Sequence, residues 1–482
     1  MNNAGLGSWP GRRAAMSPGS TALIFQDRFL TYAELHERVN RLAAALRDAG
    51  VRRGDRVAYL GPNHPSFVET MFATWVLGAV FVPLNWRLTA PELSYQLAHS
   101  GASVLIHAAS PVTAPVSVAL EDYEAFLGET SDFDEPVGLE DVACILYTSG
   151  TTGHPKGAML THGNIVWNAY NLLVCVDIAG DEMTLVSAPL FHVAALNQCL
   201  LPTFLKGGCS VLMPGWDVDG AFDLIEEHRV TWMFGVSTMY AGLTRSPRWE
   251  SADLTSVRSL MTGGAAVPEA LIHRYQERGL TFCQGYGMTE TAPGATFLEA
   301  RESRDHIGSA GLPCFFTDVR LDPDSGEILV RGPNVTPGYW ADPQATADAF
   351  GEGHWFRSGD VARIDEDGHF HIVDRTKDMY ISGGENVYPA EVESAIFEHP
   401  AVGEVAVVGV PDPKWGEVGR AFIVPAPGHT LTPAEIPAFL RGRLAKYKIP
   451  VYVDVVDDLP RTGSNKVRKA PLRALPVPSS QV

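Results

Sequence analysis

The stretch ACILYTSGTTGHPKG, residues 143–157, decides the fold, because an apolar run passes directly into a loop of hydroxyls, glycines and one lysine. The apolar part has the length and composition of a buried strand. In the loop, glycines permit close backbone approach, N–H groups can form an anion nest, and Lys156 adds a mobile positive charge. The stretch therefore predicts a phosphate site. It is not a P-loop, since Gly157 follows the lysine where that motif needs Ser or Thr.

The same passage from an apolar run into a polar or glycine-rich loop recurs along the chain. Residues 30–50 have apolar side chains at helical spacing, with Thr31 as N-cap, Glu34 completing a capping box and Gly50 at the end. Strands are expected at DRVAYLGPN and ASVLIHA, and then at EMTLVSAPLF, CSVLMP, VTWMFGV, SVRSLMTGG and LTFCQGYG. This alternation predicts α/β architecture with a largely parallel sheet. Because ligands bind at the carboxyl ends of such strands, TSGTTGHPKG, GGAA and QGYGMTE are expected to share a nucleotide site.

The character of the chain changes after Arg301. Short alternating strands with DSG and EDG turns predict a β-rich subdomain, and a smaller α/β unit follows, with helices at EVESAIFEHP and TPAEIPAFLRGRLAKYKIP. We therefore expect an N-terminal domain, residues 1–375, made of parallel α/β sheets plus the β-rich subdomain. A small, mobile C-terminal α+β domain, residues 376–482, is expected to act as a lid.

Composition excludes several classes of function. The 482 residues carry a formal net charge of −19, which argues against nucleic-acid binding and against docking on an anionic membrane. The opening residues lack the apolar segment of a signal peptide, and no apolar run is long enough for a transmembrane helix, so we expect a cytoplasmic enzyme. The cysteines form no C-x-x-C pair and are expected to be reduced and buried; they are Cys144, Cys175, Cys199, Cys209, Cys283 and Cys314.

Seven stretches, in order along the chain, carry a resemblance to a known family. They are YTSGTTGHPKG, FHVAA, GGA, QGYGMTE, WFRSGD, DRTKDMYISGGENVYPAEVE and PRTGSNK. Together they resemble the adenylate-forming (ANL) superfamily, and most closely its acyl-CoA synthetase branch. The resemblance extends from LTYAEL to KVRKAPLR, nearly the whole chain. It implies a two-step reaction: a carboxylate attacks the α-phosphate of ATP to give acyl-AMP and pyrophosphate, and a thiol, usually of coenzyme A, then takes the acyl group.

The resemblance also implies roles for individual residues. Tyr286 offers a flat face for adenine, Asp360 binds the ribose hydroxyls, and Thr289 donates to the α-phosphate. Glu290 and Thr148 are the expected Mg²⁺ ligands, since Mg²⁺ prefers oxygen and bridges phosphates. The other expected nucleotide-binding residues are Ser149, Gly150, Thr151, Thr152, Gly153, Lys156, Gly264, Ala265, Gly285, Gly287, Arg375 and Lys377.

The resemblance implies roles for five further residues, of which Lys466 acts in the first step. Lys466 offsets the repulsion between the incoming carboxylate and ATP, in a loop where Asn465 stands in place of the family's common glycine. Lys377 is the implied hinge of the small domain. His192 is expected near the acyl carbonyl or the thiol path, with a buried core histidine as the alternative. Gly383 and Gly384 leave room for the pantetheine arm of coenzyme A.

The acid itself is expected to be an apolar monocarboxylate, alkyl or aryl. WMFGVSTMY, GGAAV and TAPGAT should line its pocket, and they are mostly apolar or small. Malonate-activating relatives carry an arginine where this chain has Gly285, so a dicarboxylic acid is disfavoured. Two other functions stay open: delivery of the adenylate to a carrier-protein thiol or another nucleophile, and a non-enzymatic acyl-nucleotide sensor. A monomer or homodimer is expected.

Outside these motifs, His369 and His371 share one face of a predicted strand, as a metal-binding pair would. The sequence offers no evident third ligand, so we expect exposed strand positions there. Asn334 matches a glycosylation acceptor only formally. Arg461, Arg468 and Lys469 are expected to be solvated charges.

Overall fold

The computed structural model describes residues 3–148, 155–176, 178–264, 267–280, 282–375, 378–382, 385–412, 415–461 and 467–477, without the side chains of residues 374, 375, 385 and 386. Numbered along the chain, its strands are β1 (Thr21–Phe25), β2 (Arg28–Thr31), β3 (Arg56–Leu60), β4 (Val80–Leu84), β5 (Val104–His107), β6 (Val116–Ala119), β7 (Val142–Thr148), β8 (Lys156–Thr161), β9 (Met183–Val186), β10 (Cys209–Leu212), β11 (Trp232–Gly235), β12 (Ser259–Gly263), β13 (Phe282–Gly287), β14 (Gly294–Leu298), β15 (Leu312–Pro313), β16 (Asp318–Leu321), β17 (Glu327–Arg331), β18 (Phe356–Ile364), β19 (Phe370–Arg375), β20 (Tyr380–Ser382), β21 (Glu385–Val387), β22 (Val402–Asp412), β23 (Gly416–Pro425) and β24 (Tyr452–Val455).

The helices cover the faces of the sheets that these strands form. They are α1 (Trp9–Met16), α2 (Tyr32–Asp48), α3 (Pro65–Val76), α4 (Ala90–Ser100), α5 (Tyr123–Phe126), α6 (His162–Cys175), α7 (Leu201–Lys206), α8 (Val218–His228), α9 (Ser237–Arg245), α10 (Glu269–Glu277), α11 (Pro343–Ala349), α12 (Pro389–Phe397), α13 (Glu435–Leu440) and α14 (Lys469–Arg473). No helix among the described residues is both long and apolar enough to cross a bilayer.

Two large sheets form the first part of the molecule. The six-stranded sheet has the order β6-β5-β3-β4-β7-β8, and only its β7–β8 pair is antiparallel. The nine-stranded sheet has the order β15-β14-β13-β12-β11-β9-β10-β1-β2, with a parallel centre from β13 to β1. The predicted α/β class is therefore confirmed. The parallel strands of the nine-stranded sheet bring the loops after β12 and β13 to the same edge, where the nucleotide site is expected.

Two smaller sheets follow. β16 to β19 form an antiparallel sheet, the predicted β-rich region, whose core packs against Ala295 and Tyr286 of the nine-stranded sheet. β20 to β24 form a five-stranded sheet that has its own apolar core around Val407 and Ala421. The division at residues 375 and 376 stays a prediction.

Local rules explain α2 well. The Thr31 side chain accepts from Glu34 N at 3.2 Å, and the Glu34 carboxylate accepts from Thr31 N at 2.8 Å, so the predicted capping box is present. Gly50 follows the helix with φ of 95°, a conformation that glycine adopts without strain. The apolar positions of α2, among them Leu35 and Val39, are fully buried.

The expected helix over residues 432–450 is wrong in length. Only Glu435–Leu440 is helical, followed by a short 3-10 turn at Lys446–Lys448. Arg441 adopts extended backbone angles and Gly442 a φ of 80°, so the chain turns away after Leu440. Pro437 also removes one backbone donor within this segment.

Three expectations about side-chain exposure are also corrected. His369 is 3% exposed, not a solvent-facing strand residue, and it packs against His306 from another segment. Arg461 forms an ion pair with Glu404, and Lys469 pairs with Glu393 at 2.9 Å, so neither is a simple solvated charge. The cysteines are free, as predicted, and only Cys175 is not fully buried.

Buried His162 gives the fold a testable pH dependence. Its Nδ1 accepts a hydrogen bond from Leu6 N at 3.2 Å, and burial lowers the pKa of His162 to about 4 although Asp141 opposes the change. In the unfolded chain His162 therefore binds a proton near pH 6.5, whereas in the folded chain it stays neutral until about pH 4. Folding stability should be lost progressively between pH 6.5 and 4, by about 3 kcal/mol from this group.

The variant His162→Asn isolates this contribution, because its side-chain oxygen can still accept from Leu6 N without titrating. Urea unfolding of both proteins at pH 7, 6, 5 and 4 should show a shallower loss of stability in the variant. Equal slopes would assign the acid sensitivity to other groups, such as His64, whose pKa burial also lowers to about 4.

Candidate active site

The base of the phosphate loop is a β-hairpin. β7 and β8 run antiparallel, and Thr148 lies opposite Lys156 at the point where the loop begins and ends. The Thr148 hydroxyl lies 3.5 Å from the Lys156 carbonyl oxygen. Upstream, the Tyr147 hydroxyl donates to the Gln96 carbonyl at 3.1 Å and lies 2.9 Å from His99 Nδ1, which anchors the strand to α4. The two predicted phosphate residues at the loop ends are thus adjacent.

The remaining loop residues predicted for this site lie outside the described part of the chain. They are Ser149, Gly150, Thr151, Thr152 and Gly153. The same holds for Ala265, Lys377, Gly383, Gly384, Asn465 and Lys466. Their roles stay predictions.

Tyr339, a residue that the sequence did not indicate, lies between Glu290 and the β7–β8 hairpin. Glu290 is 8% exposed, and its Oε1 accepts a hydrogen bond from the Tyr339 hydroxyl at 2.9 Å. The Nζ of Lys156 lies 5.1 Å from the centre of the Tyr339 ring. Burial and the Glu290 charge raise the pKa of Tyr339 far above its ordinary value, so the hydroxyl stays a donor. Tyr339 therefore connects the predicted metal ligand with the predicted phosphate lysine.

Hydrogen bonds from Asn334 hold the turn that carries Glu290. This asparagine is fully buried, and its Nδ2 donates to Thr291 O at 2.8 Å and Gly294 O at 2.7 Å. Thr336 N adds a hydrogen bond to Glu290 O at 2.7 Å. The supposed glycosylation acceptor is thus a buried support of the site. Sequence signals do not reveal this role, because it depends on contacts with residues 40 or more positions away.

Gly287 precedes this turn at a point where only glycine fits. A Cβ added there would lie 1.6 Å from the carbonyl oxygen of Pro293, a backbone atom that cannot move aside. The close approach lets the chain return from β13 into β14 immediately after the turn. Gly264 follows β12 at the same edge, and Gly263 pairs with Gly285 across β12 and β13. The predicted residues of GGA and QGYGMTE that the structure describes are therefore brought together.

Asp360 and Tyr286 form a second contact in the site. The Tyr286 hydroxyl donates to Asp360 Oδ2 at 2.8 Å, and Asp360 is 7% exposed. Glu327 holds the preceding turn by accepting from Gly359 N at 2.9 Å. Asp360 is the register partner of Arg375 across β18 and β19. The predicted adenine and ribose residues are thus neighbours.

His192 lies at the start of a different element. It is partly exposed, its ring contacts Phe191, and its carbonyl accepts from Leu196 N at 3.3 Å. A π-helix, Ala195–Leu200, follows directly. Such helices are rare and often occur at functional sites. The residue as a whole is partly exposed, and its predicted place near the acyl carbonyl or the thiol path stays a prediction.

These residues fit ATP with a magnesium ion. The site combines a buried carboxylate, a lysine and a threonine at a hairpin base, and a tyrosine–aspartate pair within one group of loops. A buried carboxylate can bind Mg²⁺ together with phosphate oxygens, and a nearby lysine can contact the same phosphates. The AMP-binding enzyme model matches residues 11–340, and the model of the AMP-binding enzyme C-terminal domain matches residues 391–466. The chain belongs to the AMP-binding enzyme family.

Full-length relatives agree with this assignment. The chain is 56% identical to a feruloyl-CoA synthase of Amycolatopsis sp., over 98% of this chain and 99% of that protein. It is 42% identical to an indoleacetate–CoA ligase of Aromatoleum aromaticum, over 98% of each. Among solved structures, the Bacillus subtilis o-succinylbenzoate CoA synthetase with its acyl-adenylate intermediate matches with a TM-score of 0.89 and 34% identity, covering 97% of this chain and 98% of that one. The family member described here is therefore an AMP-forming acid–thiol ligase of the acyl-CoA synthetase branch.

Proposed function

We propose that this ligase activates an aromatic propenoic acid of the ferulate type with ATP and transfers the acyl group to coenzyme A. The 56% identity to a feruloyl-CoA synthase over nearly the whole of both chains carries the proposal. The indoleacetate–CoA ligase, also similar over its full length, is named for another aryl acid. Within the alkyl or aryl monocarboxylates that the sequence allows, these two relatives favour aryl.

The candidate acyl pocket supports an aromatic acid that carries oxygen substituents. Beside Gly285, the position of an added Cβ lies 3.1 Å from Met261 Cε and 3.4 Å from the Phe297 ring, which gives an apolar wall. An arginine at position 285 would have to displace both side chains. This agrees with the expectation that dicarboxylic acids are disfavoured.

Two carboxamides of the π-helix supply polar groups beside Ala292 and Gly294. Asn197 donates to Ala292 O at 3.1 Å, and the Gln198 Nε2 lies 3.6 Å from the Cβ position of Gly294. The side-chain oxygens of Asn197 and Gln198 are buried and have no hydrogen-bond partner in the part of the chain that the structure describes. Buried acceptors are costly without a donor, and we propose that the phenolic hydroxyl of a ferulate-type acid would pair with one of them once its carboxamide rotates toward the substrate.

The predicted nucleotide-binding residues have the following proposed roles. Tyr286 and Asp360 hold the nucleoside, and Lys156 with the N–H groups of its loop holds the β- and γ-phosphates. Glu290 and Thr148 would hold Mg²⁺, which, when bound, neutralises part of the triphosphate charge. Thr289 donates a hydrogen bond to the α-phosphate, where negative charge accumulates during the reaction.

The chemistry then needs no general base in its first step, because the acid is already ionised at neutral pH. A carboxylate oxygen forms a bond to the α-phosphorus as the bond to pyrophosphate breaks, and Lys466 offsets the repulsion between the two anions. In the second step the sulfur of coenzyme A bonds to the acyl carbon, its proton is lost, and AMP leaves. We propose that the C-terminal domain rotates about Lys377 between the steps, and that Gly383 and Gly384 admit the pantetheine arm.

Product analysis tests this proposal. ATP, Mg²⁺ and ferulate alone should yield feruloyl-AMP and pyrophosphate, and adding coenzyme A should give feruloyl-CoA and AMP, with ADP formed in neither case. Adenylate formation without a CoA product would move the acceptor to a carrier-protein thiol or another nucleophile. We still expect the enzyme to be cytoplasmic and to act as a monomer or homodimer.

A further inference from the structure

A group of histidines and carboxylates lies away from the active-site loops described above. It joins the segment between β14 and β15, which contains Glu302 and His306, to the turn between β18 and β19, which contains Asp365 and His369. One ligand atom each from His306, Asp365 and His369 lies within 4.8 Å of the others. We propose that this group, the His306–His369 cluster, binds a divalent transition-metal ion of the Zn²⁺ type.

His369 is the observation that points to a ligand. Its side chain is only 4% exposed, and neither ring nitrogen has a hydrogen-bond partner among the described residues. A buried imidazole whose nitrogens make no hydrogen bond is costly, because it loses its contacts with water and keeps only longer contacts with carboxylates, such as Glu302 Oε2 at 3.5 Å from Nε2. Its Nδ1 lies 3.9 Å from Asp365 Oδ1, and the His306 ring stacks on the face of the His369 ring. A metal ion at this position would satisfy the orphaned nitrogen.

The ligand atoms lie near one another, but the two imidazole rings are not yet oriented toward a common ion. The rings of His306 and His369 are stacked with centres 3.7 Å apart and an angle of 14° between their planes, and each Nδ1 lies 3.9 Å from an oxygen of Asp365. Zn–N and Zn–O bonds of about 2.1 Å place tetrahedral ligand atoms about 3.4 Å apart. Because the three ligand atoms lie within 4.8 Å of one another, metal binding would require them to move together by up to about 1.4 Å and one imidazole to rotate out of the stack, with a fourth position left for water.

The surrounding groups hold the ligands in position. Asp365 Oδ1 accepts from His369 N at 2.9 Å and from Asp367 N at 3.1 Å, so the turn itself fixes the carboxylate. His371 Nε2 lies 2.8 Å from Asp365 Oδ2. Glu302 Oε2 lies 3.5 Å from His369 Nε2, the nitrogen that would face away from the ion. A histidine ligand commonly gives its second nitrogen to a carboxylate in this way, and that contact raises its affinity for metal.

The donor set selects the class of ion. Two imidazoles and one carboxylate suit Zn²⁺, Ni²⁺ or Cu²⁺, whereas Mg²⁺ and Ca²⁺ prefer oxygen ligands throughout. The cluster is therefore distinct in chemistry from the Glu290 site proposed for Mg²⁺. Bound metal would tie the segment that follows the nine-stranded sheet to the four-stranded sheet that carries Asp360.

Isothermal titration of the chelator-treated, full-length protein with Zn²⁺, in buffer containing excess Mg²⁺, tests the cluster. We expect one Zn²⁺ per chain at this site and a Zn²⁺-dependent rise in Tm. His306→Ala and Asp365→Asn should remove both, since they delete ligands. Glu302→Gln should retain binding but weaken it by about 10–100-fold, the usual effect of losing an outer contact.

The matched control is His273→Ala, which removes an exposed histidine on α10 outside the cluster. It should leave the titration unchanged. The partly exposed His306 is preferred to buried His369 as the main variant, because its removal leaves the core intact, and circular dichroism checks the fold of each protein. The proposal is overturned if no saturable Zn²⁺ site is found, or if the protein and its His306→Ala and Asp365→Asn variants bind Zn²⁺ equally.

Discussion

Lys466→Ala should abolish adenylate formation and leave thioester formation intact. In the first half-reaction two anions meet, and the charge on the α-phosphate grows as the new bond forms. Removing a cation aimed at such a centre typically costs about 10²–10³-fold in rate, roughly 3–4 kcal/mol. In the second half-reaction a thiol attacks an acyl-AMP that already exists, so no carboxylate has to approach a triphosphate.

The two half-reactions can be measured separately. Pyrophosphate release from ATP and acid reports the first, and CoA-thioester formation from supplied acyl-AMP reports the second. Lys446→Ala is the control, because Lys446 is an exposed lysine that also follows the proposed hinge. It should change neither rate. An equal loss of both half-reactions in Lys466→Ala would show that this lysine has a general structural role instead.

Glu290→Gln is expected to have the second large effect. The glutamine keeps the volume of the side chain and can still accept from the Tyr339 hydroxyl, but it removes the buried negative charge that would hold Mg²⁺. Adenylate formation should fall by about 10²–10³-fold, comparable to the loss of another charge-stabilising group. The Mg²⁺ concentration needed for half-maximal rate should rise at the same time.

Tyr339→Phe tests the hydrogen bond to Glu290 independently of the Glu290 charge. It removes the 2.9 Å contact to Glu290 but leaves the carboxylate in place. One neutral donor to a charged acceptor is worth about 1.5–3 kcal/mol at most, so the loss should be smaller than that of Glu290→Gln, and the Mg²⁺ dependence should change little. If Glu290→Gln kept a normal rate and a normal Mg²⁺ requirement, the assignment of Glu290 as metal ligand would be wrong.

Sequence reasoning succeeded where structure depends on local rules. The capping box of Thr31 and Glu34, the strands that end in polar loops, and the edge shared by the GGA and QGYGMTE loops all follow from short-range patterns. The motifs also identified Asp360 and Tyr286 separately. Their hydrogen bond then came from the fold, since the two residues are 74 positions apart.

The sequence does not predict features that depend on contacts between distant parts of the chain. Tyr339 and Asn334 support the site through contacts with distant residues, and neither lies in one of the motifs that predicted the site. Exposure is expected for His369 because the sequence offers no evident third ligand, and alternation shows only which face of a strand the residue occupies. The burial of that face depends on the loop that carries His306, which no local pattern connects to it. The predicted helix over residues 432–450 is too long, because Pro437 and Gly442 interrupt a segment whose apolar spacing alone would suit a helix.

The most direct test of the central claim compares two acids of similar length under the same conditions. The values of kcat/KM for CoA-thioester formation should be measured with ferulate and with decanoate. A site that hydrogen-bonds a substrate hydroxyl rejects an analogue without one far more strongly than an apolar pocket does. We predict that ferulate is preferred by at least about 10²-fold. Equal values would contradict the account by showing no selectivity for the aryl acid, and a preference for decanoate would make the enzyme a fatty-acid ligase.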